Sequence, residues 1–194
     1  MEVEQPADST FSCNVYGFAD AVVDVGDSAD ALPDADNVLL THSHVDHVAC
    51  LREYVERSAA EVHVHEDEWG YLAEREDELA RSADALDLSE DFYDVEVEFV
   101  EDGDVVDVGV DVEVLHTPGH TPGSVCYYVE SEGALFTGDT LFGNGAPGDA
   151  VDDEALEESI RRLSELDVDA IYPGHMEPAF DDIERRFRLA LAMV

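Results

Sequence analysis

Short apolar runs broken by turn residues dominate this chain, and only a few stretches repeat at helical spacing. Residues 11–18 and 21–25 read as two strands joined by a turn around 17–20, and 38–41 as a third. Between them, 28–36 is small and acidic, and Pro33 is compatible with a short helix there. From Asp46 the spacing changes: Val48, Leu51, Tyr54 and Val55 recur every three or four residues and predict a helix with one apolar face. The alternation in 61–65 predicts a strand, and 66–88 a long charged helix. Three valine-rich strands follow within 95–116, with turns at Asp102-Gly103 and Gly109, and then a strand pair, 124–129 and 134–137. Asp152 and Asp153 begin a helix running to about Leu166, with Leu156, Ile160 and Leu163 inward. Residues 169–172 form the last core strand, and 178–193 a closing helix.

Chemistry-bearing residues collect where the strands end. Thr41-His42-Ser43-His44-Val45-Asp46-His47 follows the apolar run Val38-Leu39-Leu40, and alternation along such a turn sends side chains in two directions. Imidazole nitrogen and carboxylate oxygen suit zinc, iron or manganese, and a catalytic ion needs about three protein ligands plus an open position. One loop cannot close two such sites, so further ligands must lie downstream. His120 sits in Thr117-Pro118-Gly119-His120-Thr121-Pro122-Gly123, Asp139 in Phe136-Thr137-Gly138-Asp139, and His175 in Tyr172-Pro173-Gly174-His175. Five of the eight histidines thus fall at strand ends with the same Gly, Pro or Thr context, which argues for one rim holding the chemistry.

These motifs resemble the metallo-β-lactamase-fold hydrolases, and in particular the hydroxyacylglutathione hydrolase (glyoxalase II) branch. Thr41 to His47 is similar to that family's HxHxDH signature, and HTPGHTPGS, TGDTLF and YPGH match its later motifs in order. The resemblance implies a four-layer αββα sandwich of α/β class and two divalent metal ions, zinc first, with iron or manganese also fitting. It implies that His42, His44 and His120 hold one ion, that Asp46, His47 and His175 hold the other, and that Asp139 bridges them. Asp24, in Val22-Val23-Asp24-Val25-Gly26, falls on the family's first motif, which supports the metal loops without ligating. The implied reaction is hydrolysis of a small-molecule thioester, ester or lactone by a metal-bridging hydroxide, with Asp46 orienting the nucleophile. Two divalent ions, two aspartates and one hydroxide leave about +1 at such a site, which suits a polarised carbonyl. Glyoxalase II enzymes carry a C-terminal extension that helps bind glutathione, whereas this chain ends soon after His175, so no particular thiol is implied. Two alternatives remain: a mononuclear iron persulfide dioxygenase using His42, His120 and Asp139, and a non-catalytic metal-binding module.

The remaining chemistry-bearing residues read more plainly. His63 and His65 alternate on a strand but lack obvious partners, and are expected to be satisfied histidines rather than ligands. His116, four residues before His120, is expected to brace the loop from outside the ligand set. Cys50 is expected to fill the core. The glycine-rich stretch 142–148 has no following Lys and reads as a pocket wall rather than a phosphate loop.

Composition adds location and conditions. At 194 residues the chain suits one domain, 11–194, after a loose polar lead-in, 1–10. Three widely spaced cysteines give neither a disulfide framework nor a zinc knuckle. No basic-then-apolar leader precedes the first strand, and the apolar run 189–194 is far short of the roughly 20 residues of a membrane span, so a cytoplasmic location is expected. Arg185, Arg186 and Arg188 are more naturally partners of local carboxylates than a nucleic-acid contact, which needs a broad basic face. The 49 acidic residues against nine basic ones, all Arg, give a formal charge of −40 and point to a halophile's protein. Self-repulsion of that size destabilises a compact chain in dilute buffer, whereas molar salt shortens the screening length to about 3 Å. Resistance to heat or denaturant should therefore rise from dilute buffer to molar salt; an unfolding midpoint that falls with salt contradicts this.

Overall fold

The computed structural model describes residues 1–5, 13–26, 29–74 and 94–194. Two five-stranded mixed sheets stack face to face. The first runs β1 (Tyr16–Phe18), β2 (Ala21–Val23), β3 (Asn37–Leu39), β4 (Glu61–His65) and β5 (Glu98–Val100) in that spatial order. The second has the order β10 (Ala170–Pro173), β9 (Ala134–Gly138), β8 (Val125–Val129), β7 (Asp111–His116) and β6 (Val105–Asp107). Helices α1 (Val45–Val48), α2 (Leu51–Ser58) and α3 (Glu66–Glu74) belong to the first half of the chain, and α4 (Asp153–Leu163) and α5 (Ile183–Ala190) to the second.

The apolar pattern sorts into three cores, which is what four layers require. Val22, Val38, Val62 and Val64 face Val48, Leu51 and Tyr54 across the first helix layer. Between the sheets lie Tyr16, Phe18, Leu39, Val114, Tyr127 and Phe136, with Phe18 stacked on Phe136 at 4.7 Å. Leu115, Cys126, Tyr128 and Ile171 pack against Leu156, Ile160, Leu163 and Phe187 of the outer helices. β8 shows why the strand reads as a continuous apolar run: Val125, Tyr127 and Val129 enter one core, while Cys126 and Tyr128 enter the other.

The predicted elements correspond to observed ones, with differences that have local causes. The helix expected from Asp46 is split at Ala49 and Cys50, because Val25 N–H donates to the His47 carbonyl and Cys50 N–H donates to the Val25 carbonyl. The closing helix starts at Ile183 rather than at 178: Ala179 exchanges both backbone hydrogen bonds with Ile171, keeping that segment extended, and Asp182 is left-handed at φ 50°. The short helix expected in 28–36 is a single 3-10 turn, Ala29–Ala31. α3 covers the start of the predicted 66–88 helix, whose remainder lies outside the described residues, as do Phe11 and Ser12 of the first predicted strand. Asp152 caps α4 as a helix-start signal should, its carboxylate accepting from Ala155 N–H.

Topology then fixes where side chains emerge. β2, β3 and β4 are mutually parallel, β9 and β10 are parallel, and β7 runs with β9 because each is antiparallel to β8. Tyr127 ties the two sheets together close to this rim: its hydroxyl donates to the Leu40 carbonyl at 2.9 Å from a fully buried position. Tyr127→Phe removes that donor without changing the ring, and should cost about 1–3 kcal/mol of stability. Denaturant titration reads this as a lower midpoint at unchanged slope; an unchanged midpoint contradicts the tie.

Candidate metal centre

Five strand ends deliver polar side chains to one rim. Asp24 follows β2, Thr41 to His47 follow β3, His120 lies in the loop after β7, Asp139 follows β9, and His175 follows β10. All seven residues singled out as ligand candidates meet there, in two overlapping groups.

In the first group His42 Nε2, His44 Nδ1 and His120 Nε2 form a triangle with edges of 3.2, 3.2 and 3.0 Å. Three ligands about 2.0 Å from one ion at tetrahedral corners would stand about 3.3 Å apart, close to this triangle. In the second group His175 Nε2 lies 3.4 Å from His47 Nε2 and 3.3 Å from Asp46 Oδ2. Asp139 sits between the groups: Oδ2 is 3.7 Å from His120 Nε2 and 3.4 Å from His175 Nε2, and Oδ1 is 3.5 Å from His47 Nε2. Solvent reaches the second group through Asp46 and His175, whose side chains are 34% and 23% exposed, and the first through the partly buried His44.

Whether these donors fit cations can be tested on the protein itself. Asp139 Oδ1 is buried without a hydrogen-bond partner among the described residues, an expensive state for a carboxylate oxygen unless something else takes its charge. Gly174 keeps the adjacent space open, since a Cβ there would stand 2.4 Å from Asp139 Oδ1 and 2.6 Å from His47 Cε1. Both observations fit a positively charged occupant.

The surrounding hydrogen bonds fix ring orientation. Asp24, 1% exposed, accepts from Thr41 N–H at 2.8 Å, from the Thr41 hydroxyl, and from His47 Nδ1 at 2.8 Å, which leaves His47 Nε2 facing the group. With the Thr41 hydroxyl donating to Asp24, His42 Nδ1 at 3.1 Å is the donor to that oxygen, and Nε2 is the free ring nitrogen. His120 Nδ1 donates to the Asp149 carbonyl, with the same result for its Nε2.

Protonation divides the two groups. Burial, reinforced by the neighbouring imidazoles, pushes His42 well below the ordinary histidine value and His44 down to about 4, so both are neutral at pH 7. Burial also opposes charge on His47, but Asp24 and Asp139 outweigh it and lift this imidazole to about 9. Against their own burial, Asp46 is held down to about 2 by His175 and His47, and Asp139 is lowered by the same pair and His120.

The other sequence candidates lie around this centre. His63 is paired with the Asn37 side chain at 3.0 Å. His65 stacks on His116 at 4.0 Å and 11°, a face-to-face arrangement that aims the rings' in-plane lone pairs side by side rather than at one point. Those two and Asp67 lie near enough to be a third ligand group, yet His116 Nε2 is engaged by the Pro122 carbonyl and His65 Nδ1 by Asp67 N–H. Cys50 is buried in the first helix core. Phe142, from the glycine-rich stretch, sets its ring edge against His175 at 5.9 Å. Arg186 contacts Asp181 and the Gly143 carbonyl, and Arg188 approaches Glu184. Two participants escaped the sequence reading. Thr41 was visible beside His42 but carried no signal of its bond to Asp24. Glu68, whose buried carboxylate reaches Ser43 and Thr121, is one acid among 49.

Comparison with known proteins agrees with this geometry. The chain is 35% identical over 143 residues to a hydroxyacylglutathione hydrolase of Francisella philomiragia, covering 71% of this chain and 48% of that one. It thus spans about half the length of that curated relative. The crystal structure of TTHA1623 in a di-iron-bound form superposes with a TM-score of 0.75 at 27% identity, over 94% of this chain and 97% of that one. ETHE1 from Myxococcus xanthus gives 0.67 at 26% identity, over 91% and 76%. Residues 22–175, from the middle of β2 to the last candidate ligand, match the family model of the metallo-beta-lactamase superfamily, and the chain belongs to that family.

Proposed function

We propose that this chain is a dinuclear metal-dependent hydrolase acting on a small-molecule thioester, with activated esters and lactones as further substrates. Asp139 carries the reading: a buried carboxylate, one oxygen without a hydrogen-bond partner among the described residues, standing between two candidate ligand groups. His42, His44 and His120 would hold one ion, Asp46, His47 and His175 the other, and Asp139 would be shared. Divalent ions bound there supply carbonyl polarisation and lower the pKa of a bound water to about 7.

The chain's own residues determine which leaving groups suit. Asp46 and Asp139 are both held in the ionised form, so they accept hydrogen bonds and orient water but are poor proton donors. A thiol of pKa about 8.5 departs as its anion without a donor, whereas an ordinary alkoxide does not. That favours a thioester, in keeping with similarity to a hydroxyacylglutathione hydrolase. Asp46, at the first turn of α1 on the exposed side, is the group placed to accept a hydrogen bond from incoming water.

The similarity to ETHE1 supports a second reading, a mononuclear iron persulfide dioxygenase that would use His42, His120 and Asp139. His44 and the complete second group then have no role, which is why it ranks behind the hydrolase. Elemental analysis in high salt separates them: two metals per chain with thioester turnover supports the first, one iron with oxygen uptake on persulfide the second.

Two further outcomes follow. Asp139→Ala, loaded with excess metal, should lose at least about 100-fold in kcat/KM on a thioester panel, since shared ligation exceeds the 10–100-fold typical of supporting residues. Retained turnover would overturn the hydrolase reading. In the metal-free protein, His47 is raised from 6.5 to about 9, so its stabilising contribution is complete below pH 6.5 and disappears as pH rises through 9. Binding an ion to the second group must displace that proton, so at pH 7.5 calorimetry in buffers of differing ionisation enthalpy should show about one proton released per ion there. Asp24→Asn should flatten the stability loss between pH 6.5 and 9 and abolish most of that release.

A further inference from the structure

We propose that Glu68 is a positioning residue for the first ligand group, clamping its two loops into one unit; this rests on the metal-binding reading above. Glu68 stands in the first turn of α3 and is 0% exposed. Its Oε1 accepts from Ser43 N–H at 2.7 Å and from the Ser43 hydroxyl at 2.5 Å. Its Oε2 accepts from the Thr121 hydroxyl at 2.5 Å and from Gly123 N–H at 3.2 Å. Ser43 lies between His42 and His44, and Thr121 follows His120. One carboxylate therefore grips the chain beside all three imidazoles of the first group.

The grip is built to be close. A Cβ on Gly123 would fall 2.0 Å from Glu68 N, so only glycine lets the loop after His120 reach the start of α3. Thr121 is held again from behind, its hydroxyl 2.6 Å from Ser124 Oγ. Four donors converge on a group buried away from water, and a bond to a charged acceptor is stronger than one between neutral groups. The helix start adds its positive end to the same carboxylate. None of these contacts reaches Asp46, His47 or His175. Glu68 thus fixes the separation of the 42–44 and 120 loops, and with it the triangle into which one ion must fit.

Selectivity between the two groups is the readout, because a general loss of fold would not discriminate. His175→Ala leaves the first group complete, and His44→Ala leaves the second. Chelator-competition titration with zinc and with cobalt, the latter followed by its visible ligand-field bands, gives the affinity of each. Adding Glu68→Gln to His175→Ala should weaken binding 10- to 100-fold, the range found for residues that orient ligands. Adding it to His44→Ala should change affinity less than about twofold, well below that range. In otherwise wild-type protein, excess metal should restore kcat with KM unchanged. Thr121→Val, which deletes one hydroxyl and keeps the carboxylate, should give a smaller loss in the first group and none in the second; it decides the matter should Glu68→Gln not fold. Equal weakening of both groups, or of neither, overturns the clamp. Absence of metal binding by the unaltered protein overturns the hydrolase reading instead.

Discussion

Everything at the rim depends on Asp24 holding His47 and Thr41 at once. The carboxylate lies at the end of β2, where the backbone turns left-handed at φ 57°, an arrangement uncommon outside glycine and asparagine-like residues. Bent there, it points across to β3 instead of continuing along its own strand. Thr41 N–H and hydroxyl then set the direction in which the metal loop leaves β3, and the His47 bond sets where that loop ends. Start and finish of a seven-residue loop are tied to one side chain. The parallel pairing of β2 with β3 makes this possible, since it brings their C-terminal ends to the same edge.

Charge at this edge is more nearly balanced than over the chain as a whole. The chain carries a formal −40, yet the first ligand group is three imidazoles, two of them made neutral by burial and by each other. The second is a mixed set in which a protonated imidazole sits among three carboxylates. Before any ion arrives, His47 already supplies positive charge beside Asp24, Asp46 and Asp139. The protein thereby avoids burying three anions without compensation, at the expense of a proton that an incoming cation must expel. The outer acids bear on a different matter. Spread over the surface and short of Arg partners, they act through long-range repulsion, which salt screens, whereas buried contacts feel salt much less.

Much of this was legible in the sequence, and what was not shares a cause. The strands, α4 and all seven candidate ligands announce themselves locally: alternation, a capping Asp152, and histidines beside Gly and Pro at strand ends. The break at Ala49 and Cys50 could not be read, because it arises from backbone bonds to Val25, over twenty residues away, and backbone groups leave no trace in side-chain pattern. The late start of α5 has the same origin in Ile171 pairing with Ala179. Glu68 was invisible for a statistical reason as well: in a chain so acidic, a buried carboxylate looks like every exposed one until its neighbours are known. Local signals thus reveal candidate ligands, while the groups that aim them belong to tertiary structure.

That distinction changes how the motif itself should be understood. In Thr41-His42-Ser43-His44, the two histidines face the first group while Ser43, between them, faces away to Glu68. The backbone is extended here, with His44 at φ −63° and ψ 144°, so successive side chains leave on opposite sides. Ser43 is therefore an anchor rather than a spacer, and its hydroxyl and N–H use the same carboxylate that holds Thr121 beside His120. From Val45 the chain becomes helical, and Asp46 and His47, adjacent in sequence, both turn toward the second group. One short segment changes from strand-like to helical geometry midway, and that change is what divides its candidate ligands between the two groups. Asp24 holds both ends of this segment and Glu68 holds its Ser43, while His120, Asp139 and His175 come from the second sheet, so the spacing of the two groups depends on how the two sheets stack and not on the loop alone.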